Sequence, residues 1–388
     1  MQRNIKLLGL FNFFTDFKFH SAVLVLYFVK ITGSYTLAMS LFSAVMVSSA
    51  LFEVPTGIFS DFIGRKKTIM LGALAATISA IFYAAGTTYA LLLIGTLFEG
   101  FSRSWYSGNN DALLYDSLNQ SGKKDTFTHY LGRISAMFQI ALMLGAIVGS
   151  ILAQWSFSLI MWLSIIPQAL CFCISFFLIE PKKISKGKSN IFSHLQISLH
   201  HIWNNKRLRL LNIQDVLRYG MGESSFQFNA AFISTLWPVW AIGFSRVISY
   251  GGASLGYWFS GKFIKKLGGY NVLIINNFYT RIINLIAYGY ATVFSPILMG
   301  TTSFFYGVAE VSNTSLLQKE FSDEQRATLS SVNSLFGSLF YGIFSPFLGY
   351  VADIYGPAKA MIMVQCLMFF VLYIQFKLKT MSKYTNTL

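Results

Sequence analysis

Ionisable and amide side chains recur at helical spacing inside long apolar stretches of this sequence. Residues 89–116 carry Glu99, Arg103, Tyr106 and Asn110, at i, i+4, i+7 and i+11, which is one face of a helix. Glu99 precedes Arg103 by one turn, the better order for an ion pair. Asn277, Arg281, Asn284 and Tyr288 repeat that spacing. Asp215, Arg218, Gly222, Ser225 and Asn229 form a third stripe, with Glu223 beside it. Tyr306, Glu310 and Asn313 form a fourth, and Asp16 with His20 a fifth, Lys18 facing elsewhere. Charge in lipid is expensive, so each such group is a candidate for holding a polar solute or carrying a proton. The structural alternative is that these groups tie helices together. Stripes on five separate segments favour a hydrated cavity. A proton-carrying carboxyl must be desolvated and then reset, and it must lack a permanent cation. Arg103 would neutralise Glu99. Asp16 and Glu310 have no base one turn away and are the expected carriers, Asp16 first because His20 could share its proton.

The elements that position these groups must be helices in lipid. The chain is 54% hydrophobic and only 12% charged, about half the charge of a soluble domain. Its mean hydropathy is +0.54. That is too little polar surface to cover 388 residues in water. The apolar runs lack period-2 alternation, which favours helices over a barrel. A crossing takes about 20 residues. Spans are expected near 7–30, 35–60, 68–87, 89–116, 128–153, 157–179, 209–237, 244–264, 271–293, 296–318, 328–352 and 358–377, twelve in all. The first is read as a retained helix, since no small-residue cleavage site follows it.

The formal charge of +15 does not indicate nucleic acid. With the N-terminus inside, nearly all Lys and Arg outside the spans fall on the cytoplasmic side. Lys30, Arg246 and Lys359 are the outer exceptions. Both termini are therefore expected in the cytoplasm. Cys171, Cys173 and Cys366 imply neither a disulfide frame nor a metal site.

One long polar stretch divides the chain. The expected organisation is a six-helix bundle over 1–180, a linker over 181–208 and a second bundle over 209–388. Pro181 closes span 6. Apolar residues at 191, 192, 195, 199, 202 and 203 suggest a helix lying on the inner membrane surface, with His194, His200 and His201 on its solvated face. The halves echo each other: Asn12 and Lys18 match Asn212 and Arg218, and Leu113-Leu114 match Leu316-Leu317. Such repetition places a solute site at the midplane.

Between spans 2 and 3 stand Gly57, Asp61, Gly64, Arg65, Lys66 and Lys67, in the pattern Gly-x-x-x-Asp-x-x-Gly-Arg-Lys. This resembles the signature loop of the major facilitator superfamily, in particular its bacterial exporter-like members. The resemblance covers the chain by topology and is most specific over 53–68. It implies an all-α membrane protein of twelve helices in two pseudo-symmetric bundles, with helices 1, 4, 7 and 10 lining the path. It also implies that Asp61 sits at the start of helix 11, near Arg326 and Thr328, and that Arg65 pairs with an acid at the end of helix 4, here Asp116. Those contacts would hold the cytoplasmic side shut. The copy after span 8 keeps Gly261 and Gly268 but has Lys265 for the acid. Departures occur elsewhere: Thr96 stands where drug–proton antiporters carry an arginine, and Gly145 and Gly149 are followed by Ser150 in place of their proline.

The expected activity is secondary active transport by alternating access in the plasma (inner) membrane. The first reading is proton-coupled efflux of small organic compounds or drugs; the alternative is proton-coupled uptake of a nutrient or metabolite. The expected partners are a small-molecule substrate, protons and the lipid bilayer, with no cofactor, no metal and a monomeric chain. An integral membrane enzyme is the rival class. It would need a nucleophile with a base, or a metal cluster, at one membrane face, and no such motif stands at an interface.

Overall fold

Backbone polar groups in so apolar a chain must pair within their own segment, and they do so in helices. The computed structural model describes residues 2–181, 203–320 and 326–385. Within them, the side chains of residues 2, 54, 58, 61, 124, 128, 319–320, 326–330 and 383–385 are left undescribed. Among the described residues the secondary structure is α1 (Gln2–Asp16), α2 (Leu24–Thr32), α3 (Tyr35–Ile63), α4 (Arg65–Ala85), α5 (Tyr89–Tyr106), α6 (Asn109–Gln120), α7 (Phe127–Ala153), α8 (Phe157–Phe176), α9 (Lys206–Ile233), α10 (Val239–Leu267), α11 (Gly269–Tyr290), α12 (Ser295–Glu320), α13 (Arg326–Tyr355) and α14 (Pro357–Thr385), with one 3-10 turn at Lys124–Thr126. The surface helix expected over 191–203 falls mainly on residues outside the description; Trp203 is described and lies under the Arg209 guanidinium.

Six helical stretches are long and apolar enough by themselves to cross a membrane: Tyr35–Glu53, Arg65–Ala85, His129–Ala153, Phe157–Phe176, Ser331–Tyr355 and Pro357–Ser382. The other expected spans fall short of that measure. The physical reason is legible: α1, α5, α9, α11 and α12 carry the charged and amide residues of the polar stripes.

Two expected spans are interrupted. The first breaks over residues 17–23, between α1 and α2. The fourth breaks at Ser107 and Gly108, between α5 and α6, where Gly108 has φ 68°. Helix starts are capped as their sequences suggest: Ser34, Thr88 and Ser156 each accept from the backbone N–H three residues on.

By contact the chain divides into two compact units, Met1–Lys186 with Trp237–Phe244, and Gly187–Leu236 with Ser245–Leu388. The first has a core of Leu8, Phe11, Ile69, Ala73, Leu113, Leu114, Leu118, Cys171 and Leu178. In the second, Leu208, Leu211, Tyr270, Leu317, Ile374 and Leu378 pack together, with Leu316 against them. The repeated Leu-Leu pairs are thus core residues in both units.

Candidate functional site

The break after α1 creates the first site. Nothing in residues 17–23 is a strong helix breaker; the cause lies on α7. A Cβ built on Gly149 would stand 1.6 Å from the Phe19 carbonyl oxygen, and one on Gly145 would stand 3.0 Å from that of Lys18. These two glycines form a groove that receives the non-helical backbone. The segment then turns Lys18 and His20 inward. Lys18 was expected to face away from the polar stripe. Instead its Nζ lies 3.0 Å from Glu99 Oε1, which also accepts from Arg103 Nη2 at 3.0 Å. The Tyr83 hydroxyl donates to Glu99 Oε2 at 2.7 Å. Glu99 is therefore held by two cations and a phenol.

A cavity of about 480 Å³ opens beside this cluster. Its wall includes Asp16, Lys18, His20, Glu99, Arg103, Tyr106, Asn110 and Gln168. Tyr106 and Asn110 share it with Glu99 and Arg103 although the helix breaks between them. His20 is engaged with Ser164 Oγ at 3.0 Å rather than with Asp16. The Asp16 carboxyl forms no hydrogen bond or ion pair with any described residue. Only Ala76, Ala80, Phe138 and Leu142 give the wall apolar side chains.

In the second unit, Arg218 bridges two acids. Its Nη2 meets Asp215 Oδ1 at 2.8 Å, and its Nη1 meets Glu310 Oε2 at 2.7 Å. Glu310 lacks a base one turn away on its own helix, as the sequence indicated, but takes one from α9. Asp215 also accepts from Asn333 Nδ2. A smaller cavity, about 160 Å³, is lined by Asp215, Glu310, Asn313, Thr314, Leu317, Gln318 and Asn333.

A row of buried amides leads away from Asp215. Asn313 Nδ2 donates to Asp215 Oδ1 at 2.5 Å, and Gln214 Nε2 donates to Asn313 Oδ1 at 2.6 Å. Gln375 Nε2 donates to Gln214 Oε1, and Asn277 Nδ2 to Gln375 Oε1, both at 3.2 Å. Every donor points toward the carboxylate. The sequence placed Asn277, Arg281 and Asn284 among the path residues; they line neither cavity, and Asn277 and Asn284 bond α14. Glu223 also lies outside both linings and accepts from Gln227 at 2.8 Å. Arg246, expected on the outer side at the edge of the 244–264 span, is buried on α10, its guanidinium 3.9 Å from the Phe226 ring centroid.

The signature loop is a tight α3–α4 junction. Gly64 has φ 93°, and a Cβ there would stand 2.7 Å from the Glu180 carboxylate. Glu180 Oε1 and Oε2 accept from the backbone N–H groups of Arg65 and Lys66 at 2.8 and 2.7 Å. It thereby caps α4 where the helix dipole favours an anion. Lys66 Nζ donates to the Phe176 carbonyl at 2.8 Å. Arg65 was expected to pair with Asp116. Its Nη1 donates instead to Asn109 Oδ1 at 2.7 Å and Ser60 Oγ at 2.9 Å, and Asp116 is not among its partners. Asn109 becomes available because α6 restarts there after the break. Gly57 faces open space, and the Asp61, Arg326 and Thr328 side chains lie outside the described residues. Glu180 was missed as a site residue. Its signal was a lone acid just beyond span 6, at the same membrane face as the loop.

An all-helical chain with polar cavities set among membrane-length apolar helices is a multi-pass membrane protein of the carrier kind. Residues 7–340 match the Major Facilitator Superfamily, and the chain belongs to that family. An uncharacterised MFS-type transporter of Bacillus subtilis, YxaM, is 22% identical over 372 residues, covering 89% of this chain and 88% of that protein. The match to an uncharacterised transporter of Buchnera aphidicola, 25% identical over 203 residues, spans half of each chain. The class E tetracycline resistance protein of Escherichia coli is 23% identical over 151 residues, covering 39% of this chain and 35% of that protein. The crystal structure of the nucleoside transporter NupG superposes with a TM-score of 0.82 at 17% identity, covering 97% of this chain and 98% of that one. The protein is a membrane transporter for a small-molecule substrate.

Proposed function

We propose that this chain is a proton-coupled secondary transporter of a small organic solute, working by alternating access, with Asp16 as the proton carrier. The observation that carries the reading is the first unit's cavity. Its size suits one small molecule, and charged and amide groups stand in a wall whose exposed surface is otherwise more apolar than polar. Such a wall fits a small organic solute that carries polar groups on an apolar body. Of the acids in the two cavities, Glu99, Asp215 and Glu310 each face a permanent cation. Asp16 alone has no direct ion pair among the described residues, Lys18 and Arg103 acting on it only at a distance, so it is the carboxyl best able to change its proton when the cavity changes its solvent.

Proteoliposomes carrying the full chain test this with uridine and tetracycline as probes, chosen from the names of the relatives. An imposed pH gradient should drive uridine, and Asp16→Asn should remove the dependence on the gradient while leaving exchange in place. Gradient-driven flux that survives in Asp16→Asn refutes the assignment of the proton. Tetracycline driven in preference to uridine restores the drug reading. The sign of the gradient that drives uptake into the liposomes separates import from export.

A further inference from the structure

Arg281 stands on α11 with 7% of its surface exposed. It forms no ion pair or hydrogen bond with any described residue, and its Nε is buried without an acceptor. One turn earlier, Asn277 donates to Gln375 at 3.2 Å; one turn later, Asn284 donates to Gln365 at 3.4 Å. The carbonyl oxygens of both amides are buried with no donor. One face of α11 therefore carries a guanidinium flanked at i−4 and i+3 by two acceptors, all unpartnered. Arg246 shows the contrast. It is equally buried, but it lies on an aromatic face and donates to the Phe226 carbonyl at 2.8 Å. A buried cation with nothing to balance it is among the costliest arrangements a fold can hold.

We propose that Arg281, Asn277 and Asn284 bind a small oxyanion that carries its own proton, of the hydrogen phosphate type. Its bare oxygens accept from the guanidinium fork, and its hydroxyls, two in the dihydrogen form present at neutral pH, donate to the two amide oxygens. An acceptor-only anion such as sulfate satisfies the arginine but opposes both carbonyls. A phosphate monoester keeps at most one such hydroxyl, so it serves one amide oxygen where free phosphate serves both. This site is separate from the Asp16 cavity and stands or falls independently of it.

The test is thermal unfolding of the full chain in nanodiscs at neutral pH, with inorganic phosphate, phenyl phosphate, or sulfate at matched ionic strength. Both phosphate and sulfate stabilise proteins nonspecifically by exclusion from the surface, so the readout is the excess over sulfate. At ten times the apparent Kd, that excess should be about 2 °C. An excess for phosphate alone assigns the free ion; an excess for phenyl phosphate assigns an esterified group. Arg281→Gln should abolish it. Should that variant not fold, Asn284→Asp serves, because it supplies an internal carboxylate at i+3 and should remove the excess in a folded protein. Equal shifts with phosphate, phenyl phosphate and sulfate in the unmodified chain overturn the proposal. So does an excess that survives in Asn284→Asp.

Discussion

Substituting Gly149 by alanine should damage this protein far more than the same change at Gly145, one turn away on α7. The Gly149 Cβ would stand 1.6 Å from the Phe19 carbonyl oxygen, 2.5 Å from its carbon and 2.9 Å from its Cα. Real Cβ contacts essentially never fall under 3.0 Å, so the segment must retreat by about 1.4 Å, which a packed interior resists. The obstacle is main chain, which has no rotamer to change. At Gly145 the corresponding distances are 3.0, 3.3 and 3.4 Å to Lys18 backbone atoms, which asks for a few tenths of an ångström. Overpacking of the first kind costs about 2–4 kcal/mol, and of the second about 1 kcal/mol or less. The displaced segment also carries Lys18 away from Glu99, at present 3.0 Å distant. The assay is unfolding of both variants in one lipid nanodisc preparation, followed by intrinsic fluorescence, with transport measured alongside. Gly149→Ala should lower Tm by several degrees and reduce flux, while Gly145→Ala stays near the parent. Equal Tm values for the two variants would refute the account of why the first helix breaks.

Other expectations concern the charged clusters. Glu180→Ala removes the carboxylate that caps α4 and should cost about 1–2 kcal/mol; hydrogen exchange at the Arg65 and Lys66 amides should quicken, and unchanged exchange would deny the cap. Lys18→Met combined with Glu99→Gln should cost less than the sum of the single changes, with a coupling of about 1–3 kcal/mol in a double-mutant cycle; additivity would mean the 3.0 Å contact contributes nothing. Asp61→Asn should lower transport with little loss of solute binding, read as flux against equilibrium binding of a transported probe, and full flux would leave the loop as a topology signal only.

Much of the first-order organisation was legible in the sequence. The loop pattern at 57–67 identified the family, and the polar stripes located Glu99 with Arg103 and Asp215 with Arg218, because i+3 and i+4 neighbours are fixed by the helix itself. What escaped depended on residues far apart in the chain. The break at 17–23 is imposed by Gly145 and Gly149, which were noticed only as a partial antiporter motif. Lys18 was assigned to the wrong face because the face was computed for an unbroken helix. Glu180 was given no role, since nothing local shows that it reaches back to the start of α4. Arg246 was placed at the outer edge of its span because the apolar run starts at 244, whereas α10 begins at Val239 and carries it inside the helix.

The row of amides ending on Asp215 has a consequence of its own. Each amide shows N–H on one side and C=O on the other, so no member can turn alone without setting two like groups face to face. The row therefore has two settings, as dominoes do, and Asp215 chooses between them. As a carboxylate it takes only donors, which fixes the direction observed. Arg218 and Asn333 hold that charge in place, so Asn277 keeps its C=O free one turn from Arg281. One charge at one end is thus registered across four helices in side-chain orientation alone, with the backbone unmoved.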